Sequence, residues 1–202
     1  MSVWAVVPVK PFHLGKSRLR KVLSDEQRAS LNHRLFLHTL DTLCQVNEID
    51  RVLVVSHDAE VSTIARRRGV LFVQEWDGYN LNRALAQATQ TAVQSGCDRL
   101  LIMPADIPLF SVYEIKELIE KSADPPVVVI SPDRRLEGTN ALCVSPPHVI
   151  NYAFGRQSFS KHCENARNSR ARLEILKLPG LSIDIDLPED LDLVKNQLEI
   201  LR

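Results

Sequence analysis

Apolar residues along the chain follow two spacings that alternate. Residues 3–9, 51–56 (RVLVVS), 70–73, 99–103 (RLLIM) and 127–131 (VVVIS) are short, mostly apolar runs. Such runs read as strands covered on both faces. Between them the apolar positions spread to helical spacing. Leu31, Leu35, Leu37, Leu40 and Leu43 give one apolar face to a helix running to about Val46, and Ser24-Asp25-Glu26-Gln27 opens it as a capping box. Further helices are predicted from 59 to 68 with Gly69 behind, from 81 to 95 with Gly96 behind, and from a second capping box at Ser111-Val112-Tyr113-Glu114 to about 122. Residues 75–80 read as loop. Beyond 131 the pattern predicts a strand at 140–144 and a glycine turn then helix within 154–168. An alternating edge strand at 172–178 and a short strand at 181–185 follow, then a last helix opened by Pro188-Glu189-Asp190. Strands alternating with helices predict a three-layer α/β fold with a mainly parallel sheet, in one domain spanning 1–202.

Composition narrows the function classes. Of the 202 residues 45% are hydrophobic and 25% charged, as in ordinary soluble proteins, and the formal net charge is zero. A general nucleic-acid binder would show a basic excess. Cys44, Cys97, Cys143 and Cys163 are far apart in sequence, so neither a zinc ribbon nor a redox pair is indicated. The amino terminus enters a strand directly, and no stretch reaches the ~18–20 apolar residues of a bilayer span. The expectation is a soluble cytoplasmic protein with neither a membrane nor a nucleic acid as partner.

The chemistry is concentrated at strand ends. The first strand empties into a Pro/Gly loop and becomes basic at once, with Lys10, Lys16, Arg18, Arg20 and Lys21. In α/β folds ligands bind outside the carboxyl ends of strands, and cations there neutralise phosphate. The loop matches only the G-K-S portion of a P-loop, and a solvated surface loop is the competing reading. Asp106 follows another apolar strand between Pro104 and Pro108, and Asp184 and Asp186 stand two apart near a further strand end. Residues two apart in an extended segment share a side, so these carboxylates could hold one Mg²⁺, a cation that takes oxygen ligands and substrate phosphates. An aspartate near proline also suits a turn, and Asp186 also suits a helix cap. Gly138-Thr139-Asn140 and the turn from Gly155 to Ser158 are candidate anion contacts or ordinary turns. Asn82 suits either a base or ribose edge or a helix cap, and His162 lies one turn past Ser158, in the anion site or else in the core or on the surface.

The blocks VPVKPFHLGKSRL, LNRALAQA, PADIPLF, GTNALCV, FGRQSFSKH and IDIDLPEDL occur in order through nearly the whole chain. Together they resemble the 2-phospho-L-lactate guanylyltransferase family of coenzyme F-420 biosynthesis, within the Rossmann-like nucleotidyltransferases. Gly15, Ala105 and Leu187 depart from residues common there. The resemblance implies that a phosphorylated three-carbon acid (phosphoenolpyruvate, 2-phospho-L-lactate or 3-phospho-D-glycerate) attacks the α-phosphate of GTP and releases pyrophosphate. It implies that Asp106, Asp184 and Asp186 hold Mg²⁺, that Lys16 and Asp106 are catalytic, and that Val9, Lys10, Lys16, Arg18 and Asn82 meet the nucleotide. Thr139, Gly155 and Ser158 would meet the acid, in a homodimer. A molybdenum-cofactor or sugar-type nucleotidyltransferase is the second enzyme reading, disfavoured by the lack of their glycine-rich first loop. A non-catalytic guanine-nucleotide-binding regulator is the third.

Overall fold

The computed structural model describes residues 1–76 and 80–198. Residues 77–79 of the loop expected over 75–80, and 199–202 of the span expected as one domain, lie outside that description. Strands β1 (Val3–Val9), β2 (Arg51–Ser56), β3 (Leu71–Gln74), β4 (Arg99–Ile102), β5 (Val127–Pro132), β6 (Thr139–Ser145) and β7 (Arg172–Ile175) form one sheet in the order β3-β2-β1-β4-β6-β5-β7. β1 pairs in parallel with β2 and β4, β2 with β3, and β5 with β7. β6 alone runs the other way, antiparallel to both β4 and β5. The sheet is therefore mainly parallel, as predicted, with one reversed strand that the sequence pattern did not reveal.

Helices cover both faces of the sheet. Along β1, Val3, Ala5, Val7 and Val9 point into a core shared with α1 (Asp25–Leu43), α2 (Ala59–Arg67) and α4 (Val112–Lys121). Trp4 and Val6 point the other way, against α3 (Leu81–Gln94) and α5 (Ser158–Asn168). This two-residue alternation, apolar on both sides, is why the strand reads as a continuous apolar run. Ser24 and Ser111 form the complete capping boxes expected of them, with Gln27 and Glu114. A third, smaller core joins Leu31 and Leu35 of α1 to Leu19, Ile185 and Val194, and so seats α6 (Pro188–Leu198) against α1. No described helix is long and apolar enough to cross a membrane.

One expected element is absent. Residues 181–185 are not a strand but an irregular crossing. Leu181 and Ile185 are fully buried, which produces the strand-like alternation, but their backbone joins no ladder. Side chains and isolated backbone groups satisfy it instead. The Gly180 N–H donates to Glu114 Oε1 at 2.6 Å, the Leu181 carbonyl accepts from Asn140 Nδ2 at 2.8 Å, and the Ser182 carbonyl accepts from the Arg134 N–H at 2.8 Å. The Ile185 N–H donates to the Asp106 carbonyl at 3.1 Å. These bonds bring the chain back from the β7 edge across the carboxyl end of β4.

Candidate active site

The loop leaving β1 is shaped from α1. Arg28, 1% exposed, donates from Nη1 to the Gly15 carbonyl at 2.8 Å and pairs with Asp25. Asn32 Nδ2 donates to the Phe12 carbonyl at 2.7 Å. Two short 3-10 turns, Phe12–Leu14 and Ser17–Lys21, follow from this anchoring, with Lys16 between them at φ 55° in the left-handed region. That backbone is uncommon for a lysine, and it accompanies an inward side chain only 5% exposed.

Lys16 Nζ lies 2.8 Å from Asp106 Oδ2 and 3.1 Å from Asp186 Oδ1, while Arg18 reaches Asp186 at 3.4 Å. One oxygen from each of Asp106, Asp184 and Asp186 falls within 4.8 Å of the others. The acids expected to converge do so, although two of them stand on a loop. Burial, together with the charges of Asp106 and Asp186, pushes the Asp184 carboxyl up to about 6. Burial also opposes the charge on Lys16, but Asp106 and Asp186 more than offset it and raise its affinity for the proton. The cluster thus holds more negative charge than one ammonium balances. Three carboxylates suit a hard divalent cation with oxygen ligands.

Asp186 does not cap α6. Asp190, 1% exposed and in the first turn of α6, instead braces the turn that enters the helix: its Oδ2 accepts from the Asp186 and Leu187 N–H groups at 3.1 and 2.7 Å. Arg134 and Arg135 donate to its Oδ1 at 2.8 and 3.2 Å. Burial works against the Asp190 charge, but Arg134, the two N–H groups and Arg135 hold its carboxyl below the usual range. Sequence reading missed its role because the two arginines that balance its charge lie more than fifty positions away.

A cavity of about 380 Å³ lies over the carboxyl ends of β1, β2 and β4. Val9, Lys10, Lys16 and Arg18 line it, with Asp106 and Asp186. Asp184 joins them through the carboxylate cluster. Asn82, Thr139, Gly155 and Ser158 are not on its wall and form a second group. Thr139 Oγ1 and His162 Nδ1 are 2.9 Å apart, and His162 Nε2 accepts from the Ala153 N–H at 2.9 Å. Nε2 is therefore the acceptor, Nδ1 carries the proton, and Nδ1 donates to Thr139. Burial pulls His162 down to about 4, which keeps it neutral. Asn82 is not the cap of α3, a role held by Asn80. Both ends of its carboxamide bond the Phe154 backbone, at 2.8 and 3.1 Å, tying α3 to the turn before α5. Gly155 takes φ 118°, and the buried Ser158 donates its N–H to the Gly155 carbonyl at 3.1 Å.

The reversed direction of β6 relates the two groups. Leu142 pairs with Ile102, so Thr139, three residues earlier, lies beside the segment that leads from Ile102 to Asp106. The acid cluster has the basic loop on one side and the Thr139 group on the other.

Known proteins share this arrangement of sequence and fold. The chain is 38% identical over 191 residues to a phosphoenolpyruvate guanylyltransferase from Rubrobacter xylanophilus, covering 95% of this chain and 92% of the relative. It is 31% identical over 191 residues to a 2-phospho-L-lactate guanylyltransferase from Methanothermobacter thermautotrophicus, covering 95% and 83%. A crystal structure described as a nucleotide-diphospho-sugar transferase from Desulfovibrio desulfuricans superposes with a TM-score of 0.79 at 19% identity, over 98% of this chain and 88% of the other, a likeness of fold. The family described as "Guanylyl transferase CofC like" matches residues 3–195, which hold the basic loop, all three clustered aspartates and the Thr139 group, and the chain belongs to that guanylyl transferase family.

Proposed function

We propose that the protein transfers GMP from GTP to the phosphate of a three-carbon phospho-acid, releasing pyrophosphate, as a step of coenzyme F-420 biosynthesis. Phosphoenolpyruvate leads as acceptor, because it is named for relatives at 38% identity; 2-phospho-L-lactate and 3-phospho-D-glycerate are the alternatives. The observation that carries the reading is the carboxylate cluster standing between a cation-lined cavity and the Thr139 group.

An oxygen of the acceptor's phosphate bonds the α-phosphorus of GTP, the α–β bridging bond breaks, and pyrophosphate leaves with the electron pair. The nucleophile is already ionised near neutral pH, so no general base is required, and the barrier is electrostatic. Asp106, Asp184 and Asp186 would hold Mg²⁺, which supplies a template and a Lewis acid for the phosphate oxygens. Lys16 has a nearly buried ammonium beside that position and would neutralise charge on the triphosphate. Lys10 and Arg18 bind the other phosphates, with Val9 against the nucleotide. Because His162 donates to Thr139, the Thr139 hydroxyl proton is free to point at an anion, alongside Gly155 and Ser158. Asn82 enters this reading by holding Phe154, and hence the acceptor turn, against α3. The protein works as a cytoplasmic homodimer. Its four free thiols fit a reducing compartment, and sedimentation tests the dimer.

Pyrophosphate release is measured with GTP, Mg²⁺ and each of the three acids in turn, with the downstream ligase present to remove product. Release with one acid, lost on chelation, is expected. Tight GTP binding with no release for any acid would overturn catalysis in favour of a regulator.

A further inference from the structure

The cavity wall holds a carboxylate that the transfer chemistry does not use. Glu75 directly follows β3 and is 9% exposed, yet it lines the same cavity as Lys16 and Asp106. Register fixes its height. Val9 pairs with Ser56, Ser56 pairs with Gln74, and the Glu75 N–H donates to the Ser56 carbonyl at 3.0 Å, so Glu75 stands level with the start of the basic loop. In sheet order β3 and β4 are three steps apart, which puts the Glu75 and Asp106 ends roughly 14 Å from each other. That is the scale of an extended nucleotide. Between them the wall is apolar on the β2 and α3 side, from Val55, Leu81 and Ala84, and basic over β1. An apolar slot ending in a carboxylate, joined to a cationic strip ending in three carboxylates, matches base, then phosphates, then the reacting centre.

We infer that Glu75 reads the guanine base, accepting from the N1–H and the 2-amino group, and thereby sets the preference for GTP. This rests on the guanylyl-transfer reading and assigns the residue that selects its nucleotide. Glu75 Oε1 accepts from the Asn80 N–H at 3.1 Å, and among the described residues no lysine or arginine pairs with it. Each oxygen of a carboxylate accepts more than one bond, so Glu75 has capacity left for donors that enter the cavity. Guanine offers two adjacent donors on one edge. Hypoxanthine lacks the amino group, and adenine presents an acceptor at N1, which a carboxylate repels. The Asn80 bond holds Glu75 at the mouth of α3, and Gln87 braces the same stretch by donating from Nε2 to the Gln74 carbonyl at 2.8 Å.

Calorimetric binding of GTP, ITP and ATP to the full chain with Mg²⁺ tests the assignment, in the wild type, Glu75→Gln and Glu75→Ala. Wild type is expected to bind GTP about 10- to 100-fold more tightly than ITP, the value of a charge-assisted hydrogen bond. Glu75→Gln keeps an oxygen for Asn80 and turns an amide N–H toward the base. It should lose the GTP-over-ITP ratio, weaken ITP as well because the N1–H of hypoxanthine loses its acceptor, and bind ATP better than wild type does. Glu75→Ala should lose the ratio without the gain for ATP. A purely structural Glu75 would instead weaken all three nucleotides together, and an unchanged GTP-to-ITP ratio in a folded Glu75→Gln would overturn the assignment. A wild type that binds GTP no better than ATP would overturn both the assignment and the guanylyl-transfer reading beneath it.

Discussion

The two sides of the aspartate cluster are built differently. Toward β1, β2 and β3 the strands are all parallel, and their carboxyl ends open onto a cavity walled by apolar side chains and by Lys10, with Lys16 and Arg18 reaching the clustered aspartates. Toward β6 and α5 the polar groups are already engaged with one another. Thr139 is held by His162, His162 by the Ala153 N–H, and Phe154 by Asn82. The first side suits a large ligand that brings its own apolar base. The second suits a small anion, whose binding depends on a few donors aimed in advance. Only the reversed β6 brings the second side up to the cluster, because its amino-terminal end lies where a parallel strand would present its carboxyl end.

Changes at the cluster itself should erase the distinction. Asp106→Asn is expected to cut turnover by about 10³-fold or more, since metal charge stabilisation is worth several kcal/mol. The fold, followed by circular dichroism, should persist. Near-normal turnover in a folded variant would remove Asp106 from the ligand set. Lys16→Met should cost about 10²- to 10³-fold in turnover. It also leaves the three carboxylates without their ammonium, so melting in EDTA should fall below wild type, and added Mg²⁺ should recover most of the loss.

A milder change should affect one side alone. His162→Gln disturbs Thr139 without touching the cavity, and is expected to raise KM for the acid about tenfold while leaving KM for GTP unchanged, the scale of one or two neutral hydrogen bonds. An equal rise for both substrates would undo the two-sided picture. The same variant carries a pH signature. His162 titrates near 4 in the fold against 6.5 ordinarily. Between those values the unfolded chain binds a proton that the buried imidazole refuses. Its contribution is therefore whole above about pH 6.5 and is lost as pH falls toward 4, by up to ~3 kcal/mol. The urea stability of wild type minus that of His162→Gln should shrink across this window, and a constant difference would contradict the buried neutral ring.

The smallest effect is expected at Gly15. A Cβ there would collide with the Asn32 carboxamide. Gly15→Ala should cost about 1 kcal/mol by displacing Asn32 from Phe12, and almost nothing in an Asn32→Ala background. Equal costs in both backgrounds would show that Asn32 does not shape the basic loop.

Much of the frame was legible in the sequence because its causes are local. Apolar runs gave the strands, Ser24 and Ser111 carried their own partners three residues on, and Asp106 stood at the end of an obvious strand. What was not legible depends on distant partners. The 181–185 segment alternates like a strand, yet its carbonyls and N–H groups are met by Glu114, Asn140 and Arg134. The direction of β6 leaves no trace in a run buried on both faces. Asp190 resembled any acid in a helix's first turn, and nothing near Glu75 in sequence announces a cavity. Of the site, the cluster was readable from residue type and strand ends, and the braces that aim it were not.

The crossing held by Asn140, Glu114 and Asp190 also imposes an order of assembly. Two of the three clustered acids arrive on a segment that has no place in the sheet and is pinned by α6. A chain that has formed only β1 through β6 therefore lacks the Ile185 and Val194 packing under Leu19 of the basic loop, the Asp186 part of the cavity wall and a complete acid cluster. The reactive centre is absent until the carboxyl-terminal helix docks, so a nascent or truncated chain ending before residue 188 is a silent one.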